Sequence, residues 1–159
     1  TFSFPDVTGK LVSLSDPSFQ NKVTLVSVMG TWCSNCLDET LFLKKVRSRY
    51  GAEDLQIVAL DFELVRDSAV AKRNIQRQVE NLEIPYPVLL ASLSTNKAKA
   101  SSLLLALNGV FSYPTLVVMD RQHNVVKIHT GFSGPATGRE RYLAFEKEYF
   151  DLLDELVGP

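Results

Sequence analysis

Cysteine, histidine and tryptophan are scarce in this sequence: its 159 residues include two, two and one of them respectively. A structural zinc centre wants about four ligands. His123 lies in a predicted hairpin turn and His129 in the strand after it, with no ligand spacing to each other or to the cysteines. No metal site is therefore expected. Disulfide scaffolding is excluded as well. The cysteines stand three positions apart, and a bridge across so short a loop removes little unfolded-state entropy. Neither sign of charge prevails: 17 Lys and Arg face 18 Asp and Glu, for a net charge of −1. No broad field draws such a chain to nucleic acid or to acidic lipid. No apolar run approaches the roughly 18 residues of a membrane-spanning helix, and no signal peptide is visible. The chain opens at Thr1 without a methionine, as a processed protein or a part of a longer one would, so the sequence by itself assigns no compartment.

A chain of this length buries roughly two thirds of its extended surface and needs no staple. One domain over residues 1–159 is expected, with residues 1–22 as an N-terminal hairpin extension. In that extension Gly9 separates Phe2–Phe4 from Leu11–Leu14. Residues 23–29 and 55–61 are short apolar runs bounded by turn residues and read as buried strands. Helices are predicted over 34–50, over 67–82 from a start near Asp67 or Ser68, over 94–107 with Asn108-Gly109 as its stop, and over 139–157. On the first of these, Cys36, Leu41, Leu43, Val46 and Tyr50 form the apolar stripe. Tyr86–Leu90 is a short strand. Thr115–Met119 and Val125–Thr130 flank a polar turn as a hairpin. Strands that alternate with helices and end in a hairpin predict an α/β fold, a mixed sheet with helices on both faces.

The two cysteines sit together, as Trp32-Cys33-Ser34-Asn35-Cys36, between a buried strand and a helix. That junction is the setting of a redox-active dithiol. Cys33 falls at the helix N-terminus, near unpaired N–H groups and the positive end of the helix dipole, which favour a thiolate. It is the expected nucleophile. Cys36, about one turn inside, suits the resolving role. Glu39 shares a helix face with Cys36 and could take its proton. Spacing alone leaves that role level with the plainer one of a solvated acid in the helix's first turns. Asp38 faces another way. Pro114 removes a backbone donor before an apolar strand and restricts Tyr113 to extended geometry.

Together these segments resemble the thioredoxin superfamily. The carriers are Gly30-Thr31-Trp32-Cys33-Ser34-Asn35-Cys36, then Glu39, then Tyr113-Pro114-Thr115 with its hairpin and final helix. More narrowly, the N-terminal hairpin and the helical insertion are similar to the membrane-anchored or periplasmic TlpA/ResA-type thiol-disulfide oxidoreductases of bacteria. The resemblance covers nearly the whole chain. It implies Cys33 as the attacking thiol, Cys36 as the buried one, Trp32 as a flank that limits access, and Pro114 as a cis-proline facing the sulfurs. Tyr113 and Thr115 would offer backbone contacts to substrate, and Glu39 would be the acid that reducing members place three residues after the second cysteine. The buried acid of ordinary thioredoxins would fall at Ser27, which cannot accept a proton in that way. Thr40 and Leu41 stand where a helix-bending proline is common.

The implied activity is reduction of protein disulfides, with no dissociable cofactor. The implied partners are a disulfide-containing protein and an upstream thiol donor such as a membrane reductase, and a monomer is expected. The implied location is the bacterial periplasm or the outer side of the membrane, with cytochrome c maturation among the open roles. Ser34-Asn35 leaves the direction of electron flow open. Three rivals remain. A copper(I) or haem-delivery module would use the dithiol as ligands, with Met29 and Met119 the only methionines to assist. A peroxidase would place its reactive cysteine differently. A non-enzymatic domain would turn over little disulfide.

Overall fold

The computed structural model describes residues 2–93 and 112–158. A two-stranded antiparallel hairpin, β1 (Ser3–Pro5) and β2 (Leu11–Ser13), comes first, turning at Gly9 with φ +89°. A 3-10 turn, Pro17–Phe19, leads into β3 (Val23–Met29). Then follow α1 (Ser34–Arg49), β4 (Leu55–Phe62), α2 (Ser68–Leu82) and β5 (Val88–Ser92). The chain closes with β6 (Thr115–Met119), β7 (Val125–Thr130) and α3 (Arg139–Val157).

Five strands form one mixed sheet in the order β5-β4-β3-β6-β7. β3, β4 and β5 are parallel; β6 runs antiparallel to β3, and β7 to β6. Every residue of β3 is buried, as the uninterrupted apolar run of a central strand requires. The edge strand β7 alternates half-buried and exposed residues. The crossovers β3–α1–β4 and β4–α2–β5 step the same way across the sheet, so right-handed connections put both helices on one face.

That face carries the larger core. Val23, Leu25, Ile57 and Ala59 of the sheet meet Phe42 and Leu43 of α1, Ile75 of α2, and Tyr142, Tyr149 and Leu153 of α3. The opposite face collects Val26, Val28, Val58, Leu60 and Phe62 under Phe2 and Leu14 of the hairpin segment and Phe19. The N-terminal extension is thus the lid of the second core. The helix expected over 94–107 lies outside the described residues.

Two expectations shift. The strand expected at Tyr86–Leu90 begins at Val88, because Pro85 and Pro87 have no N–H to give a ladder. Pro87 contributes only its carbonyl, to the Ala59 N–H at 2.9 Å. On α1, Leu41 is 46% exposed, and the buried face is Cys36, Glu39, Thr40, Phe42, Leu43 and Val46. A carboxyl and a hydroxyl inside the stripe disguised its direction in the sequence.

Phe42 is the hub of the α1–α3 contact. Its ring lies 5.0 to 6.1 Å from those of Phe132, Phe145, Tyr149 and Phe150. Phe42→Ala is expected to lower unfolding free energy by about 3–5 kcal/mol, as read from a denaturant midpoint. A loss under about 1 kcal/mol would mean the aromatic cluster contributes little to cohesion.

Candidate redox site

β3 ends at Met29, and α1 begins at Ser34 after four intervening residues. Cys33 is its N-cap residue, with extended dihedrals of φ −98° and ψ 116°. In place of the usual hydroxyl or carboxylate cap, its Sγ accepts the Cys36 N–H at 3.3 Å. The thiol in turn points to the Tyr113 carbonyl at 3.8 Å. Cys33 is half-buried and Cys36 is 1% exposed; both are free thiols. Burial pushes the Cys36 thiol far up, and the neighbouring Cys33 and Glu39 push the same way. One sulfur meets solvent under helix N–H groups; the other keeps its proton inside the protein.

Glu39 is wholly buried. Its Oε1 accepts the Ser27 hydroxyl at 2.7 Å, and its Oε2 has no partner among the described residues. Ser27 therefore holds the acid rather than replacing it. Burial raises the Glu39 carboxyl from 4.5 to about 8, opposed by the Ser27 hydrogen bond. The groups that feel its charge are Cys36, Tyr86 and Tyr149, and no ion pair engages it among the described residues. The spacing therefore does bring Glu39 to Cys36, inside the core and not at the surface.

The facing segment comes from the start of β6. The Tyr113–Pro114 peptide is cis. Pro114 is buried, and its carbonyl accepts the Gly131 N–H at 2.7 Å. The Thr115 hydroxyl is buried and turns back to the Ser112 carbonyl at 2.7 Å, so Thr115 has no side chain to offer a substrate. Trp32 is 42% exposed, and its Nε1–H donates to the Phe62 carbonyl at 2.8 Å. Its ring meets Tyr113 edge-on at 5.4 Å. Gly30 makes this possible, since a Cβ there would fall 2.2 Å from the indole nitrogen. A cleft of about 460 Å³ opens beside Trp32, between Leu37 of α1 and Asn74, Arg77 and Gln78 of α2.

Asp61 and Glu63, at the end of β4, were not foreseen. Both are buried against Thr31 of the cysteine loop. Their signal was Asp61-Phe62-Glu63: two acids at alternate positions ending an apolar strand, hence on one side of it. The histidines stay apart from the sulfurs. His123 Nε2 pairs with the Phe19 carbonyl at 2.9 Å, and His129 packs on Phe145. No group of three or more His, Cys, Asp or Glu gathers as metal ligands among the described residues.

A profile of the Redoxin family matches residues 1–142. The chain belongs to the Redoxin family. It is 26% identical over 130 residues to the thioredoxin-like protein YneN of Bacillus subtilis, covering 82% of this chain and 68% of that protein. Over 126 residues it is 24% identical to the thiol-disulfide oxidoreductase ResA of Bacillus thuringiensis, covering 79% and 64%. The chain thus spans about two thirds of the length of these relatives. Among solved structures, it overlays a secreted thiol-disulfide isomerase of Corynebacterium glutamicum with a TM-score of 0.73 at 21% identity, covering 98% of this chain and 83% of that one. A thiol:disulfide interchange protein of Chlorobium tepidum gives 0.68 at 23% identity, covering 99% and 93%. These overlays establish a thioredoxin-like fold.

The Glu39 environment sets a pH dependence of stability. Its folded-state pKa is about 8 against 4.5 for an unburied carboxyl, so between those values the folded protein holds a proton the unfolded chain has lost. That contribution is complete below the lower value and is lost as pH rises through the upper one. Unfolding free energy should fall by on the order of 2 kcal/mol more in wild type than in Glu39→Gln between about pH 6 and about pH 9. Equal falls in both proteins would show Glu39 to be ionised throughout.

Proposed function

We propose that this chain is a thiol-disulfide oxidoreductase that reduces protein disulfides through Cys33 and Cys36. The observation that carries the reading is the asymmetry of the pair. Cys33 is the accessible cap of a helix; Cys36 is shut inside with an unpartnered carboxyl oxygen of Glu39 in its surroundings. The Cys33 thiolate attacks one sulfur of a substrate disulfide, forming a mixed disulfide and expelling the other sulfur as a thiolate. Glu39 accepts the Cys36 proton, and Cys36 attacks the Cys33 sulfur. The second substrate sulfur leaves as a thiolate, and the enzyme holds the Cys33–Cys36 disulfide. Two electrons have passed to the substrate, and an upstream thiol donor returns them.

The substrate segment lies against Trp32, Tyr113 and Pro114, with Thr115 reaching it through backbone groups alone. The domain is read as single and monomeric, acting on the extracytoplasmic side of a bacterial membrane with a membrane reductase as its donor. No helix among the described residues is long and apolar enough to cross a membrane. The names of relatives such as the thiol-disulfide oxidoreductase ResA support the activity, and cytochrome c maturation fits the setting proposed for it.

A glutathione redox titration read by alkylation tests the reaction and its direction. A potential below about −220 mV, with insulin reduced at the donor's expense, is expected. A potential near about −120 mV would make the pair an oxidant. Glu39→Gln should slow release of the mixed disulfide by about 100-fold and abolish its rise with pH towards about 8. An unchanged pH profile would remove Glu39 from the proton path.

A further inference from the structure

The turn before Cys33 is fastened to the end of β4 by a set of bonds the reaction above does not use. The Thr31 N–H donates to Glu63 Oε2 at 3.0 Å, and its hydroxyl reaches Glu63 Oε1 at 2.6 Å and Oε2 at 2.8 Å. Asn74 of α2 adds an N–H to Glu63 Oε1 at 3.2 Å. One residue back, the Phe62 carbonyl takes the Trp32 indole N–H at 2.8 Å. Asp61, on the helix-bearing side of the sheet opposite Met29 of β3, completes the group. Asp61 is 0% exposed and Glu63 is 1% exposed.

The two carboxyls are supplied very unequally. Glu63 accepts from three donor groups, whereas neither oxygen of Asp61 has a hydrogen bond of ordinary geometry among the described residues; the Thr31 backbone N–H, already given to Glu63, favours the Asp61 charge only weakly. The side chain that Asp61 does meet is the carboxyl of Glu63, itself an acceptor. No lysine or arginine pairs with either acid among the described residues. From the segment before β6 the facing group is Tyr113, whose buried hydroxyl has no partner among the described residues and feels both Asp61 and Cys36; from α2 it is the neutral Asn74, and from the cysteine loop the neutral Thr31. Two acceptors in contact in a dry site are unfavourable unless a proton lies between them, and two carboxylates that close cannot both ionise.

We propose that Asp61 and Glu63 share one proton, carried by Asp61 and donated to Glu63, and that Glu63 holds Thr31 while the adjoining Phe62 carbonyl holds Trp32, so that Glu63 acts as a positioning residue for Cys33. Desolvation and the Glu63 charge raise the Asp61 carboxyl to about 9, in line with the donor count. When the shared proton leaves, a second buried negative charge appears beside the clamp, and the Thr31–Trp32 turn loosens. The positioning role rests on the assignment of Cys33 as the attacking sulfur; the shared proton does not.

Trp32 is the only tryptophan of the chain, so its emission, excited at about 295 nm, reports the clamp directly. In the Cys33→Ser/Cys36→Ser protein, which has no thiols, emission should show one transition centred near the Asp61 value of about 9. Asp61→Asn, which mimics the protonated acid, should abolish it. Glu63→Gln, which removes the repelling charge, should move it down by about one pH unit or more. Tyr113→Phe should keep it, which separates it from tyrosine ionisation. In the dithiol protein, the Asp61→Asn to wild-type ratio of kcat/KM on a peptide disulfide should climb through the same midpoint. No transition, or one that Asp61→Asn retains, would overturn the shared proton, and a flat ratio would overturn the positioning role. A transition in a protein that reduces no disulfide would leave the shared proton standing and remove the functional reading instead.

Discussion

Everything at this site depends on where the backbone N–H of Cys36 points. β3 ends, the chain turns, and α1 begins with orphan donors that some acceptor must meet. A sulfur meets one of them, at 3.3 Å. That contact makes Cys33 the helix cap and keeps it half-exposed, and the geometry of a first helical turn then puts Cys36 inside. The two thiols share a motif but not an environment. Their difference in burial is a consequence of secondary structure, not of any residue between them.

The second constraint is dryness. One side of the sheet is packed by α1, α2 and α3, and three carboxyls, Glu39, Asp61 and Glu63, are buried there or at the strand end with no cation paired to any of them among the described residues. Burying a charge without a partner is costly, and a carboxyl in that position holds its proton instead. Glu39 and Asp61 both do so. A fold that keeps acids protonated near neutral pH has proton donors and acceptors matched to thiol chemistry. Thr31 and Asn74 surround Glu63 with donors.

Much of this was legible in the sequence. The apolar runs at 23–29 and 55–61 marked the two central strands because strands buried on both faces cannot hide their composition. The Cys33–Cys36 spacing at a strand-to-helix junction marked the site. Glu39 was visible by position, but its burial was not, because spacing along a helix says which residues share a face and not which face is covered. Leu41 was misread for the same reason. Asp61 and Glu63 escaped notice because two acids ending a strand look like a solvated turn. Only the return of the Gly30–Trp32 turn over them, which needs Gly30 to clear the indole, reveals the clamp. Pro114 was placed facing the sulfurs by resemblance; the contact the structure shows is that of the neighbouring Tyr113 carbonyl with the Cys33 thiol, 80 residues apart along the chain and so a product of tertiary structure alone.

The difference between the two sulfurs is most directly tested by trapping. Cys36→Ala and Cys33→Ala would each be mixed with a disulfide-bonded peptide, and the covalent adducts separated without reductant. Cys36→Ala should accumulate a mixed disulfide through Cys33, and Cys33→Ala should form none. Adducts at comparable rates on both variants, or capture by Cys36 alone, would contradict the assignment of one exposed and one sequestered thiol.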